Sequence, residues 1–139
     1  MDNDVIRIYA DGACRNNQSK ENIGAIGVVL LYKDKIKEIK EAYQNTTNNQ
    51  MEILSAIRVL ESLKVFDIPV ELYSDSQYLV STMNDNWRRN TNLELWKQLD
   101  ELNSKFDIKY IKVKGHADNQ YNNRADQLAN EAMDAIKGV

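Results

Sequence analysis

The spacing of the apolar residues changes after Tyr43, and no other property of this sequence limits its fold as strongly. Before that point Val5 to Ala10 and Ile26 to Tyr32, which are rich in apolar and β-branched residues, and Lys35 to Tyr43, which alternates, read as strands. The Lys33-Asp34 link between the last two is short enough for a hairpin, and Asp11-Gly12 interrupts the first. Cys14 to Asn22 is polar, without strand or helix periodicity, and is expected to be an exposed loop. After Tyr43 the period becomes helical: Ile53, Leu54, Ile57, Leu60 and Leu63 recur at three- and four-residue spacing behind the capping stretch Asn45 to Asn49. This predicts a helix beginning near Asn49 or Gln50.

Strand and helix then alternate. Pro69 opens the strand Val70 to Tyr73, which ends at Ser74-Asp75, and Gln77 to Met83 reads as the next helix. Leu93, Trp96, Leu99, Leu102 and Phe106 mark another helix, Ile108 to Val113 a strand, and Ala125, Leu128, Ala129, Ala132, Met133 and Ile136 the cleanest helical stripe. The order βββαβααβα predicts an α/β (mixed α+β) fold, with a five-stranded mixed sheet of three antiparallel and then two parallel strands, flanked by helices. Ligands in such sheets favour the carboxyl ends of the strands.

A length of 139 residues suits one domain, 1–139, and an apolar share of 42% with 28% charged residues is that of a globular chain able to bury its own core. No run of about 18 uncharged apolar residues exists to span a membrane, and Met-Asp-Asn-Asp is no secretory signal, so a cytoplasmic location is expected, with a monomer as the default. The lone Cys14 has no internal disulfide partner and reads as a free thiol. A net charge of −3 argues against holding nucleic acid by bulk electrostatics. That objection weakens if part of the negative charge sits in a site that bound cations later offset.

Such a site is foreshadowed by four acids. Asp11 falls where the first strand is expected to end, Asp75 where the fourth ends, Glu52 in the first turn of the intervening helix and Asp126 at the start of the last helix. Converging carboxylates repel one another and raise their own pKa values unless a cation neutralises them. Mg²⁺ prefers oxygen ligands, keeps several waters and suits acids at solvent-facing strand ends. Two ions about 3.5–4 Å apart would activate water and stabilise a leaving oxygen. Taken singly, each acid has a plain structural reading among the 21 acidic residues: Glu52 and Asp126 as helix-start charges, Asp11-Gly12 as a turn. His116, the sole histidine, follows a predicted strand in a Gly-containing loop, either as a surface group or as a proton donor to a leaving group.

Tyr9 to Cys14, Thr46 to Glu52, Tyr73 to Tyr78, Val113 to Ala117 and Asn122 to Asp126, in that order, closely resemble the motifs of the type 1 ribonuclease H family, over about Val5 to Ala135. The resemblance implies the ribonuclease H-like fold and hydrolysis of the RNA strand of RNA–DNA hybrids, leaving 5′-phosphate and 3′-hydroxyl ends. It further implies two Mg²⁺ ions, with Mn²⁺ as a substitute, on Asp11, Glu52, Asp75 and Asp126, and a turnover-assisting His116. It also places Asn17, Asn49 and Gln77, with the Cys14 backbone, against the RNA minor groove, and Thr47 on a DNA phosphate. Amide side chains suit a 2′-hydroxyl because both donate and accept hydrogen bonds, though turn and cap chemistry would account for the same residues.

The sequence departs from many relatives in three places. Between Met83 and Leu93 only Trp87, Arg88 and Arg89 stand where a basic helix and loop is common, so it resembles the shorter members. The first loop, Arg15 to Asn22, lacks a Gly-Pro-rich sequence, and Asn123 occupies a position often acidic. Two rival readings are a catalytically silent hybrid-binding module, which should have lost a metal carboxylate, and a DNA nuclease of resolvase or integrase type, which should lack the Thr-Thr-Asn-Asn and Asp-Ser-Gln sets.

Overall fold

Strand β1 (Ile6–Arg15) is the hinge of the architecture, because it pairs antiparallel with β2 (Ile23–Tyr32) on one side and parallel with β4 (Val70–Ser74) on the other. The structure, a computed structural model, describes residues 4–15, 22–114 and 119–137. Adding β3 (Lys35–Gln44) and β5 (Ile108–Lys112) gives a five-stranded sheet in the order β3-β2-β1-β4-β5, antiparallel in its first half and parallel in its second, as predicted. The helices are α1 (Asn48–Ser62), α2 (Gln77–Asp85), α3 (Leu93–Asn103) and α4 (Gln120–Lys137).

Strand alternation divides the core between two faces. Ile6, Ile8 and Ala10 of β1, with Ile26 and Val28 of β2, pack on Ile53, Ile57 and Leu60 of α1 and on Trp96 and Leu99 of α3. The opposite face carries Tyr9 and Val29 against Ala125 and Leu128 of α4, and Ala25 against Ala129, Ala132 and Met133. Tyr9 also stacks on Tyr73 of the neighbouring strand, ring centroids 4.7 Å apart, with Tyr121 of α4 5.5 Å away. Strand β3 is mostly exposed and heavily charged, which protects a sheet edge from pairing with other chains.

Several boundaries differ from the sequence expectation. Asp11-Gly12 does not interrupt β1, because β2 pairs with it throughout, Asp11 opposite Gly27 and Gly12 opposite Ile26. The strand therefore absorbs Cys14 and Arg15 from the expected loop. Helix α1 starts at Asn48, since Thr47 caps it in a reciprocal box: its Oγ1 accepts from the Gln50 amide at 3.1 Å, and Gln50 Oε1 accepts from the Thr47 amide at 3.1 Å. Helix α4 starts well before its apolar stripe, where Asn119 Oδ1 accepts from the amides of Tyr121 and Asn122. The hairpin turn is as expected, Lys33 taking a φ of 55° between the paired Tyr32 and Lys35. Among the described residues no helix is long and apolar enough to cross a membrane.

Candidate active site

The parallel pairing of β1 with β4 runs from Ile6 opposite Val70 to Tyr9 opposite Tyr73, and then stops. The same register carried two residues further would set Asp11 beside Asp75. Instead β4 ends at Ser74, whose hydroxyl accepts from the Ser76 amide at 3.0 Å, while the Ser76 hydroxyl caps α2 by accepting from the Leu79 amide at 3.1 Å. These two buried serines fix a tight strand-to-helix turn around the half-buried Asp75. A carboxylate is thereby presented at the strand's end, where an open α/β sheet offers its ligand crevice.

Two glycines let helices approach from opposite faces. A Cβ on Gly12 would lie 2.4 Å from the Glu52 amide nitrogen and 2.4 Å from the Met51 carbonyl carbon, so α1 rests backbone-to-backbone on β1. That closeness allows the Gly12 amide to donate to Glu52 Oε1 at 2.7 Å. On the other face a Cβ on Gly27 would lie 2.0 Å from the Ala125 carbonyl oxygen and 2.7 Å from the Ala129 amide nitrogen. Gly27 is the partner of Asp11 across the sheet, so α4 crosses at the height that brings Asp126 into hydrogen-bonding reach of the Asp11 carboxyl.

The result is a pocket of about 270 Å³ lined by all four acids together with Gly12, Ala13, Asn48, Asn122 and Asn123. Carboxylate oxygens of Asp11, Glu52 and Asp75 lie within 4.8 Å of one another, and Asp126 adjoins them through Asp11. Burial, followed by the charges of Asp75 and Asp126, pushes the Asp11 pKa up to about 8, opposed only by the Gly12 amide. Burial and the charges of Asp11 and Asp75 likewise hold Glu52 well above the ordinary carboxylate range. An all-oxygen donor set that strains against its own ionisation fits a hard divalent cation. So does Asn122, whose buried Oδ1 has no hydrogen-bond partner among the described residues.

The sequence profile of the family described as RNase H matches residues 3–134. The chain belongs to the ribonuclease H family. It is 50% identical to a Ribonuclease H of Clostridium botulinum over 141 aligned positions, covering 91% of this chain and 94% of the relative. Among solved structures it resembles the N-terminal RNase H domain of a Mycobacterium tuberculosis protein, with a TM-score of 0.81, 29% identity and 96% of each chain covered. It also resembles the LC11 ribonuclease H1 solved in complex with an RNA/DNA hybrid, with a TM-score of 0.80, 29% identity, and 95% of this chain and 99% of that one covered.

Glu52 lies beyond the first turn of α1 and Asp126 nearly two turns into α4, and neither first turn holds an acid, so a helix-start charge accounts for neither. Thr47 is the exposed cap of α1, Asn49 is exposed in its first turn, and Gln77 is exposed at the start of α2. The Cys14 thiol donates to the Thr46 carbonyl at 3.6 Å, and burial raises its pKa. Asn17 and His116 lie outside the described residues. Asn48 and Asn122 line the pocket without having been singled out. For Asn122 the available signal was its position four residues before Asp126, which puts both on one face of a helix.

Proposed function

We propose that the chain acts as a single ribonuclease H domain that hydrolyses the RNA strand of RNA–DNA hybrids, with Asp11, Glu52, Asp75 and Asp126 as its cation ligands. The observation that carries this reading is the convergence of three acids within 4.8 Å in a pocket that contains the fourth. Support for the substrate comes from the likeness to a relative solved with an RNA/DNA hybrid. Two Mg²⁺ ions, or Mn²⁺ in their place, would supply activation of the attacking water and stabilisation of the leaving oxygen when bound.

The protein's own groups do the remaining work. The Gly12 amide holds the Glu52 carboxylate in place, and the turn between Ser74 and Ser76 presents Asp75. Asp11 has to give up its proton before it can serve as a ligand, so proton release accompanies cation binding. At the phosphodiester the water oxygen bonds to phosphorus and the bond from phosphorus to the 3′ oxygen breaks. The 3′ oxygen takes up a proton, for which His116 is the donor, and the products carry 5′-phosphate and 3′-hydroxyl ends. Asn49 and Gln77, exposed on helices that open at the pocket, together with Asn17 and the Cys14 backbone, read the 2′-hydroxyls, and Thr47 holds a DNA phosphate. The protein works as a monomer in the cytoplasm, where hybrids arise as DNA is copied and transcribed.

One labelled RNA sequence, presented as a hybrid with DNA, as duplex RNA and as a single strand, tests the reading with Mg²⁺ and with chelator. The expected result is cutting of RNA in the hybrid alone, abolished by chelator. Binding without cutting in either Mg²⁺ or Mn²⁺ would mean a silent hybrid-binding module. Preferential cutting of duplex DNA would mean a resolvase-like nuclease.

A further inference from the structure

We propose that Asn122 is a positioning residue for the hydrated cation: its side-chain oxygen accepts a hydrogen bond from a water in the cation's own shell. The inference rests on reading the carboxylate pocket as a cation site. Asn122 is 4% exposed and lines that pocket, yet its Oδ1 is wholly buried and has no partner among the described residues. Burying an amide oxygen without a donor is unfavourable, and such an atom in a native protein calls for a ligand or a water. The Asn122 backbone amide donates to Asn119 Oδ1 at 3.0 Å, so the unpartnered atom is on the side chain.

The chemistry of the neighbours identifies the missing donor. Four carboxyl groups line the same pocket with Asn48 and Asn123, and once a cation has displaced their protons the carboxylates only accept. Asp126, one turn along α4, faces the same space as Asn122 and is engaged with Asp11. A divalent cation brings donors into that space, because Mg²⁺ dehydrates reluctantly and keeps several waters, whose O–H groups point outward. A fixed neutral acceptor in the lining of the carboxylate pocket can take a hydrogen bond from such a water without touching the ion. An amide fills this role without adding a fifth negative charge to four that already repel one another.

Calorimetric titration of the full chain without nucleic acid, at pH 8, tests the assignment with two probes, Mg²⁺ and hexaamminecobalt(III), whose inert shell can bind only through outward N–H donors. Asn122→Ala and Asn122→Leu are compared with the unaltered protein, alongside thermal melts in chelator. Both variants are expected to bind both probes about tenfold more weakly. Asn122→Leu should melt, metal-free, no lower than the unaltered protein, because it removes a buried unpaired atom. Unchanged affinity for Mg²⁺ in both variants overturns the proposal. A loss of affinity for Mg²⁺ with hexaamminecobalt(III) unaffected makes Asn122 a direct ligand and overturns the water-mediated role. A fall in metal-free melting temperature for both variants makes it a structural residue, again overturning the role. If the unaltered protein binds no Mg²⁺, the cation reading of the pocket fails as well, which separates that failure from the others.

Discussion

Asp11 keeps its proton to about pH 8 while the same side chain in the unfolded chain releases it near the ordinary value of 3.8. Between these values the unfolded state is the one that ionises, so folding stability falls as pH rises from about 4 to about 8, and Glu52 acts in the same direction. Even one unit of this shift corresponds to about 1.4 kcal/mol, or about 3–5 °C of melting temperature in a domain of this size. In chelator the protein should therefore melt lower at pH 8 than at pH 5, and Mg²⁺ should reverse the loss at pH 8. Asp11→Asn should remove much of the pH effect. Thermal melts at the two pH values check this, and equal or greater metal-free stability at pH 8 would show that the carboxyls ionise freely in the fold. Each of the four acids that line the pocket stands in a motif of the sequence. Their mutual strain is not legible there, since it depends on burial and on distances between residues as far apart in the chain as Asp11 and Asp126. Asn122 carries no hydrophobic or charge signal within its polar run, and only its spacing of four residues from Asp126 sets it apart.

The elements were legible in order and type, and least so at their ends. Asp11-Gly12 is a turn signal locally and predicts an end of β1 after Ala10, whereas pairing with β2 carries the strand on to Arg15. The apolar stripe predicts a start of α4 several residues later than Gln120, because its first turns are polar and the Asn119 cap marks them. What local sequence could not reveal is the role of Gly27, an unremarkable glycine within an apolar strand whose use is to let α4 settle on the sheet beside Asp11. Gly27→Ala should force α4 outward, because its new methyl would meet backbone and not a flexible side chain. The expected cost is at least about 1–3 kcal/mol of stability, with weaker Mg²⁺ binding as Asp126 moves away from Asp11. A chelator melt and a Mg²⁺ titration measure both, and a variant that matches the original in each would show that this contact does not set the position of α4.

The molecule as a whole carries a net charge of −3, so its grip on nucleic acid has to come from local groups and not from a basic surface. The short connection between α2 and α3 divides its three candidates unequally. Arg89 is committed to the fold, paired with Asp100 and set over the Trp96 ring at 5.1 Å, whereas Trp87 and Arg88 are exposed. Arg88→Ala should weaken hybrid binding at low salt and reduce the slope of log affinity against log salt by about one, with the melting temperature unchanged. An unaltered slope would place Arg88 outside the interface. The mixed sheet itself was foreseeable from the change of period after Tyr43, since hairpin-linked strands followed by helix-linked ones leave few other arrangements. The convergence of the acids was foreseeable only in outline, because it depends on where the β1–β4 pairing stops and on how closely two helices approach.

The most direct test of the carboxylate centre is single-turnover cleavage of a labelled RNA–DNA hybrid by the unaltered protein and by Asp75→Asn in Mg²⁺, with hybrid affinity and melting temperature measured on the same samples. Removing a ligand's charge at nearly constant shape should lower the cleavage rate by more than the roughly 10–100-fold typical of changes outside the ligand set, while the variant still folds and binds hybrid. Cleavage by Asp75→Asn at a rate like that of the unaltered protein would contradict the account, because the acid at the end of β4 would then not belong to the catalytic centre.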